Sequence, residues 1–202
     1  MHRVPLFAFY LCCFAAFGAF VLRGVAPLPI FESATAEIPL TERFDSAEAA
    51  LWQSQQALDR ALAAEAPDAW AAAAKEARGH ARQSLARRPL NPRAWLLEAK
   101  AAYLLGDRAA AQAAWQRSMA RGPYERALVL DRAEIGIRLW HELTAAQRQG
   151  LLAQLRWAWS VAGGRLLNFA RRAPDHELLI RRALAAEPEA LKAFDRRLDR
   201  RG

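Results

Sequence analysis

Ser84-Leu85-Ala86-Arg87-Arg88-Pro89 and Ser118-Met119-Ala120-Arg121-Gly122-Pro123 are two passes of one pattern set 34 residues apart, and Ala77 returns as Ala111 at the same shift. A fixed period of this size marks a chain built from one supersecondary unit stacked on the next. Each pass closes on a proline, which cannot continue a helix, and follows a stretch rich in the strong helix formers Ala, Leu, Gln and Arg. The spacing therefore predicts helix pairs punctuated at Pro89 and Pro123.

The segment 92–125, PRAWLLEAKAAYLLGDRAAAQAAWQRSMARGPYE, is the better copy. Trp95 opens a first helix, Gly106-Asp107 makes the turn, Ala111 and Trp115 take the small and large packing positions of a second helix, and Pro123 ends the unit. A small Ala111 lets two helices approach closely, while Trp115 fills the space between units. This segment resembles a tetratricopeptide repeat. Its departures are Glu98, Ala99 and Ala102, where the family prefers Leu, Gly and Tyr, and Tyr103, which falls one residue late. The unit before it keeps only its second helix in register, because Pro67 breaks the first. One such unit cannot bury its own face, so flanking helices must complete the stack.

Composition points the same way. The chain has 202 residues, 53% of them hydrophobic, but 47 of these are Ala. Beyond residue 40 the only Val and Ile are Val129, Ile135, Ile137, Val161 and Ile180. So few β-branched residues exclude a sheet-based fold, and with it Rossmann, TIM-barrel, sandwich and OB readings. The expectation is an all-α protein.

Outward from the repeat, Asp45-Ser46-Ala47-Glu48 has the spacing of a helix start, and Leu51, Ala57, Leu58, Ala61 and Leu62 then share a face. That helix stops before Pro67, and the next runs from about Asp68 to Arg87. Pro123-Tyr124 begins a helix through about His141. Thr144-Ala145-Ala146-Gln147 matches a capping box for a helix closed by Gly163-Gly164. Shorter helices over about 164–172, after Asp175 and after Pro188 cap the stack. A second, fainter resemblance, over Pro123 to Trp159, is to small repeat proteins found with bacterial surface-polysaccharide export and O-antigen ligation machinery; it rests on no diagnostic motif.

The amino-terminal stretch is of another kind. Residues 4–22, VPLFAFYLCCFAAFGAFVL, are uncharged and lie between Arg3 and Arg23. As a helix they would cover roughly 28 Å, about the hydrocarbon thickness of a bilayer. A cleaved signal peptide would have a shorter apolar run and a nearby small-x-small site, whereas Ala34-Thr35-Ala36 lies more than ten residues further on. The reading is an uncleaved single-pass anchor over 1–23, an extended linker over 24–43 containing Pro27, Pro29 and Pro39, and a helical domain over 44–202. Cys12 and Cys13, the only cysteines, fall inside the anchor and cannot staple the body. The acidic segment after the run favours a cytoplasmic amino terminus and a periplasmic body at a bacterial inner membrane.

The net charge of +8 divides unevenly. Residues 24–69 hold two basic and eight acidic residues, and residues 70–202 hold 25 basic and 13 acidic, so a net −6 segment precedes a net +12 body. Outside the cytoplasm such a body suits anionic phospholipid, acidic polysaccharide or an acidic protein surface rather than nucleic acid.

No catalytic constellation emerges. His2, His80, His141 and His176 are scattered; His141-Glu142 begins a zinc-protease helix motif, but Ala145 stands where the second His belongs. Gly163-Gly164 lacks the spacing of a phosphate loop, and the pairs Glu187/Glu189 and Asp195/Asp199 sit among arginines. Glu98 is the only acid in an apolar helical setting, and a small envelope hydrolase or enzyme subunit would need it, or another acid, in a deep pocket. A cytoplasm-facing module binding nucleic acid is the remaining alternative. The seven Trp have core spacing, except that Trp157 and Trp159 cannot share one face. The repeat resemblance implies non-catalytic protein binding, without metal or cofactor, in a groove lined by Arg93, Leu96, Lys100, Tyr103 and Leu104 and suited to a peptide of acidic or carboxylate character.

Overall fold

A computed structural model describes residues 40–199, with side chains from 46 onward. The expected anchor and most of the linker lie outside these residues. The described part is all-α: α1 Leu40–Ala63, α2 Pro67–Arg87, α3 Pro92–Leu104, α4 Arg108–Arg121, α5 Val129–Arg138, α6 Ala145–Ala170, α7 Pro174–Leu184 and α8 Pro188–Asp199, with a 3₁₀ turn at Arg126–Leu128 before α5. No helix among the described residues is long and apolar enough to cross a membrane.

Local chemistry sets the boundaries. Pro67, Pro92, Pro174 and Pro188 each stand at a first helical position, where a missing N–H leaves nothing unpaired. The Asn91 side chain accepts from the N–H groups of Arg93 and Ala94 at 2.9 and 3.3 Å. Gly106, with φ of 77°, makes the tight turn out of α3, and Asp107 then caps α4 by accepting from Ala110 N at 3.1 Å. At α6 the capping box is present as its spacing predicts: Gln147 N donates to Thr144 Oγ1 and Thr144 N to Gln147 Oε1.

Two boundaries differ from expectation. α1 reaches back to Leu40, into the stretch read as linker, so Asp45-Ser46-Ala47-Glu48 lies within it. Nothing between Pro39 and Asp45 breaks a helix, and extension of an existing helix is far easier than nucleation. α5 begins only at Val129, because 122–125 turn and 126–128 are 3₁₀. As expected at Gly163-Gly164, α6 is two helices that meet at a break at Ala162 (φ −147°, ψ 32°), the second of which buries Leu166, Leu167, Phe169 and Ala170. Trp157 and Trp159, on different faces, find separate aromatic partners in Tyr124 and Phe194.

Sequential helices pack as neighbours, α1 on α2, α2 on α3 and α3 on α4, across connections of three or four residues that force antiparallel directions. Alternate helices also touch, α1 with α3, α3 with α5 and α5 with α7, and the stack is closer on this side than between α2 and α4. The core divides accordingly. Between α1, α2 and α3 it is made of small residues such as Ala57, Ala77, Ala81, Ala94 and Ala101 with a few leucines. From α3 onward it is larger, built around Trp115, Leu151, Leu155, Phe169 and Phe194, with Ala111 fully buried beside them.

Arg78 on α2 ties this frame together, donating to Glu98 on α3 at 3.0 Å and to the α4 cap Asp107 at 2.9 Å. The hydrogen bond from Ala110 N and the Arg78 guanidinium hold the Asp107 carboxyl below its ordinary value. A lowered carboxyl pKa stabilises the fold above the unfolded-state value, and the contribution is lost as pH falls through the folded-state value. Asp107→Asn keeps the capping acceptor and removes the charge, so its melting temperature should fall below the native one at pH 7. The gap should close as pH is lowered through and beneath the usual carboxylate range. A gap unchanged by pH would show that the ion pair contributes nothing.

Candidate functional site

The side on which alternate helices come together holds three cavities. The first, about 150 Å³, has an apolar wall of Leu58, Leu62, Leu104, Ile135 and the Tyr103 ring, with Gln55, Asp59, Lys100, Glu134 and Arg138 at its rim. The second, about 240 Å³, lies among Gln55, Arg93, Leu96, Leu97, Glu125, Ala127, Leu128 and Asp131. The third, also about 240 Å³, lies between α5 and the part of α6 beyond its kink, lined by Leu130, Asp131, Glu134, Arg165, Asn168, Phe169 and Arg172. Gln55 is common to the first and second, Asp131 to the second and third, and Glu134 to the first and third. They therefore adjoin as sections of one groove, the first two on α3 and the third beyond α5.

The sequence explains why the groove forms here. α1 presents Gln55, Leu58, Asp59 and Leu62 at i, i+3, i+4 and i+7, one helical face. α5 presents Asp131, Glu134, Ile135 and Arg138 at the same spacing. Leu62 is 71% exposed, an apolar side chain left at the groove mouth. Trp52, also exposed, stands one turn further along α1, about 60° of rotation from Gln55.

All five residues expected to form the groove line one of the first two sections. Leu96 differs in kind: only 1% exposed, it is core beneath the groove rather than contact surface. The charge also differs. Lys100 Nζ is 2.7 Å from Asp131 Oδ2, and Arg138 is 3.2 Å from Glu134. The Tyr103 ring lies under Arg108, with its guanidinium carbon 3.7 Å from the ring centre, and near Arg138 at 5.9 Å. Asp131 of α5 thus pairs with Lys100 of α3, Glu134 with Arg138 of its own helix, and Asp59 adds a further acid from α1, so the groove is mixed rather than basic. Sequence reasoning missed Asp59, Asp131 and Glu134 because it treated the groove as a property of one repeat. The signal was available in the acids spaced three apart on α5.

Glu98 points elsewhere. It is buried on the α2 side of α3, where Oε1 accepts from Arg78 at 3.0 Å and Arg82 at 3.2 Å, and it lines none of the three sections. His80 pairs with Glu76 at 3.6 Å, and His176 stacks on Phe169 with ring centres 4.1 Å apart. Among the described residues no group of three or more His, Cys, Asp or Glu is placed to hold a metal ion. The first section, at about 150 Å³, is below the ~300–1,000 Å³ of small-molecule pockets and has the size of a socket for one apolar side chain. No protein-family model, curated protein or solved structure matches the chain.

Proposed function

We propose that this chain is a membrane-tethered, non-catalytic adaptor of the tetratricopeptide-repeat type. Its helices form a short α-solenoid, and the groove along α1, α3 and α5 holds a segment of a protein partner. The observation that carries this reading is the continuity of the groove: three cavities with shared residues run across consecutive units. Concave surfaces of stacked helix pairs bind extended or helical peptides by such a row of sockets. The partner segment places one apolar side chain in the first section, beside the ion pairs of Lys100 and Arg138. Further along, Arg93, Arg165 and Arg172 offer cations to an acidic group. The apolar run over 4–22 supports a single-pass inner-membrane anchor, with the body in the periplasm. The resemblance over Pro123 to Trp159 is the support for a partner within a cell-envelope assembly such as surface-polysaccharide machinery.

The test is site-specific photocrosslinking in intact cells of the source bacterium. A crosslinker at Tyr103 or Leu62 should capture a defined partner, while one at Arg117, on the outer face of α4, should not. Leu62→Asp, at the exposed mouth of the apolar socket, should reduce the Tyr103 product at least about tenfold, leaving the melting temperature close to native. Equal capture from both faces, or a product insensitive to the substitution, would overturn the groove reading.

A further inference from the structure

The turns between helix pairs gather at one end of the stack and carry a feature of whose cations only Arg93 also lines the groove. Ser118 Oγ donates to Pro92 O at 2.7 Å, Gln154 Nε2 to Pro123 O at 2.7 Å, and Arg126 to Val161 O at 2.7 Å. These bonds bring 88–92, 122–126 and 161 to a common edge. The start of α1 reaches it too, since Arg88 meets Glu48 at 3.2 Å.

Two large apolar side chains stand out of this edge. Leu90 is 61% exposed and Tyr124 is 78% exposed, and they occupy equivalent positions 34 residues apart, each just after the proline that ends a unit. Arg87 and Arg121 flank them, again 34 apart, both exposed. Arg93 and Arg126 add two more cations, against Glu125 and the already paired Glu48. Arg87 donates only to the Gln83 carbonyl of its own helix, and Arg93 and Arg121 have no carboxylate within ion-pair distance among the described residues. The turns inside the pairs carry Glu65, Asp107 and Glu142, of which Asp107 pairs with Arg78 and Glu142 with Arg108. Cations without a carboxylate partner beside exposed apolar tips are thus the mark of the edge at Leu90 and Tyr124.

We infer that this edge is a docking surface for an anionic phospholipid bilayer. Leu90 and Tyr124 enter the headgroup layer, and Arg87, Arg93, Arg121 and Arg126 meet lipid phosphates. Aromatic and aliphatic tips surrounded by Arg are what an interface between headgroups and acyl chains selects, and each cation adds attraction to an anionic surface. The contact rests on the membrane-tethered reading and adds to it an orientation: helix axes upright on the bilayer, with the groove opening sideways.

The experiment uses the full chain with two vesicle types, phosphatidylcholine alone and equal parts phosphatidylcholine and phosphatidylglycerol, read by flotation and amide hydrogen exchange. The expected result is flotation with both. Exchange across 86–93 and 121–127 should be about tenfold slower on the anionic vesicles only, with Arg87→Gln plus Arg121→Gln abolishing the difference. Flotation with both and identical exchange overturns the docking edge while leaving the tether. Flotation with anionic vesicles alone, lost in the double variant, supports the edge and overturns the tether. Flotation with neither overturns both.

Discussion

An Arg132→Ala chain is expected to lose about 3–5 kcal/mol of stability, a large share of the ~5–15 kcal/mol that separates folded from unfolded forms in an ordinary domain. Arg132 on α5 is fully buried. Its Nε donates to Ser118 Oγ at 2.9 Å, Nη2 to Ser118 O at 2.7 Å and Nη1 to Gly122 O at 2.6 Å. The two carbonyls lie at the carboxyl end of α4, where helix carbonyls lack intrahelical partners and carry partial negative charge. The guanidinium serves them where solvent cannot reach. Burial pushes its pKa down from the ordinary value and the Glu125 charge acts in the other direction, yet an arginine keeps its proton at neutral pH. Truncation to Ala opens a cavity and takes the guanidinium donors away from Ser118 O, Gly122 O and Ser118 Oγ, of which Gly122 O keeps Glu125 N and Ser118 Oγ keeps Pro92 O. Arg132→Met fills the cavity but donates nothing, and should lose about 2–3 kcal/mol. Urea unfolding measures both. A loss under about 1 kcal/mol for the Ala form, or a Met form as stable as native, would refute the capping role.

Arg132 also shows what the sequence period conveys and what it omits. It lies 34 residues after Glu98, so the two occupy the same place in successive units. Each reaches back from the first helix of its unit to the second helix of the unit before, Glu98 to Arg78 and Arg82, Arg132 to Ser118. The period thus locates the inter-unit contact, whereas its chemistry reverses sign from one unit to the next. Ser84 Oγ, the counterpart of Ser118 Oγ, is buried without a partner, because Glu98 turns to arginines instead. The same division holds for the groove. Repeat geometry identified Arg93, Lys100, Tyr103 and Leu104 on α3, since a helix face follows from spacing alone. It gave no account of what α1 and α5 set opposite them, because those helices depart from the repeat pattern and their rotation is decided by packing. The break at Gly163-Gly164 was legible, since glycine weakens a helix locally and the backbone leaves helical geometry at the adjacent Ala162, while the burial of Leu166, Leu167 and Phe169 makes the chain helical again beyond it.

The second large effect concerns Trp115, the side chain around which the third and fourth helices meet the fifth. It is almost completely buried, and its Nε1 donates to Arg132 O at 2.9 Å, which fixes the plane of the indole. Gly136 passes directly over that ring. A Cβ at position 136 would lie 3.0 Å from Trp115 Cζ2, 3.2 Å from Cε2 and 2.8 Å from Leu151 Cδ1. The leucine methyl can swing aside, but the indole is held by its hydrogen bond and by packing on both faces. Trp115→Ala should therefore lose about 3–5 kcal/mol from cavity formation, and Gly136→Val about 2–3 kcal/mol from overpacking. Both residues occupy the same volume, so their effects should not add. In Trp115→Ala with Gly136→Val the valine enters space the indole has left, and the double form should be more stable than the sum of the single losses by at least about 1 kcal/mol. Simple additivity in chemical unfolding would mean that Gly136 is free of the indole, and that the close approach of α5 to α4 has another cause. A positive coupling would establish that one aromatic ring and the missing side chain above it set the spacing between the second and third helix pairs. The groove depends on that spacing, because Ile135 and Arg138 reach its first section from the same turn of α5 that Gly136 brings down onto Trp115.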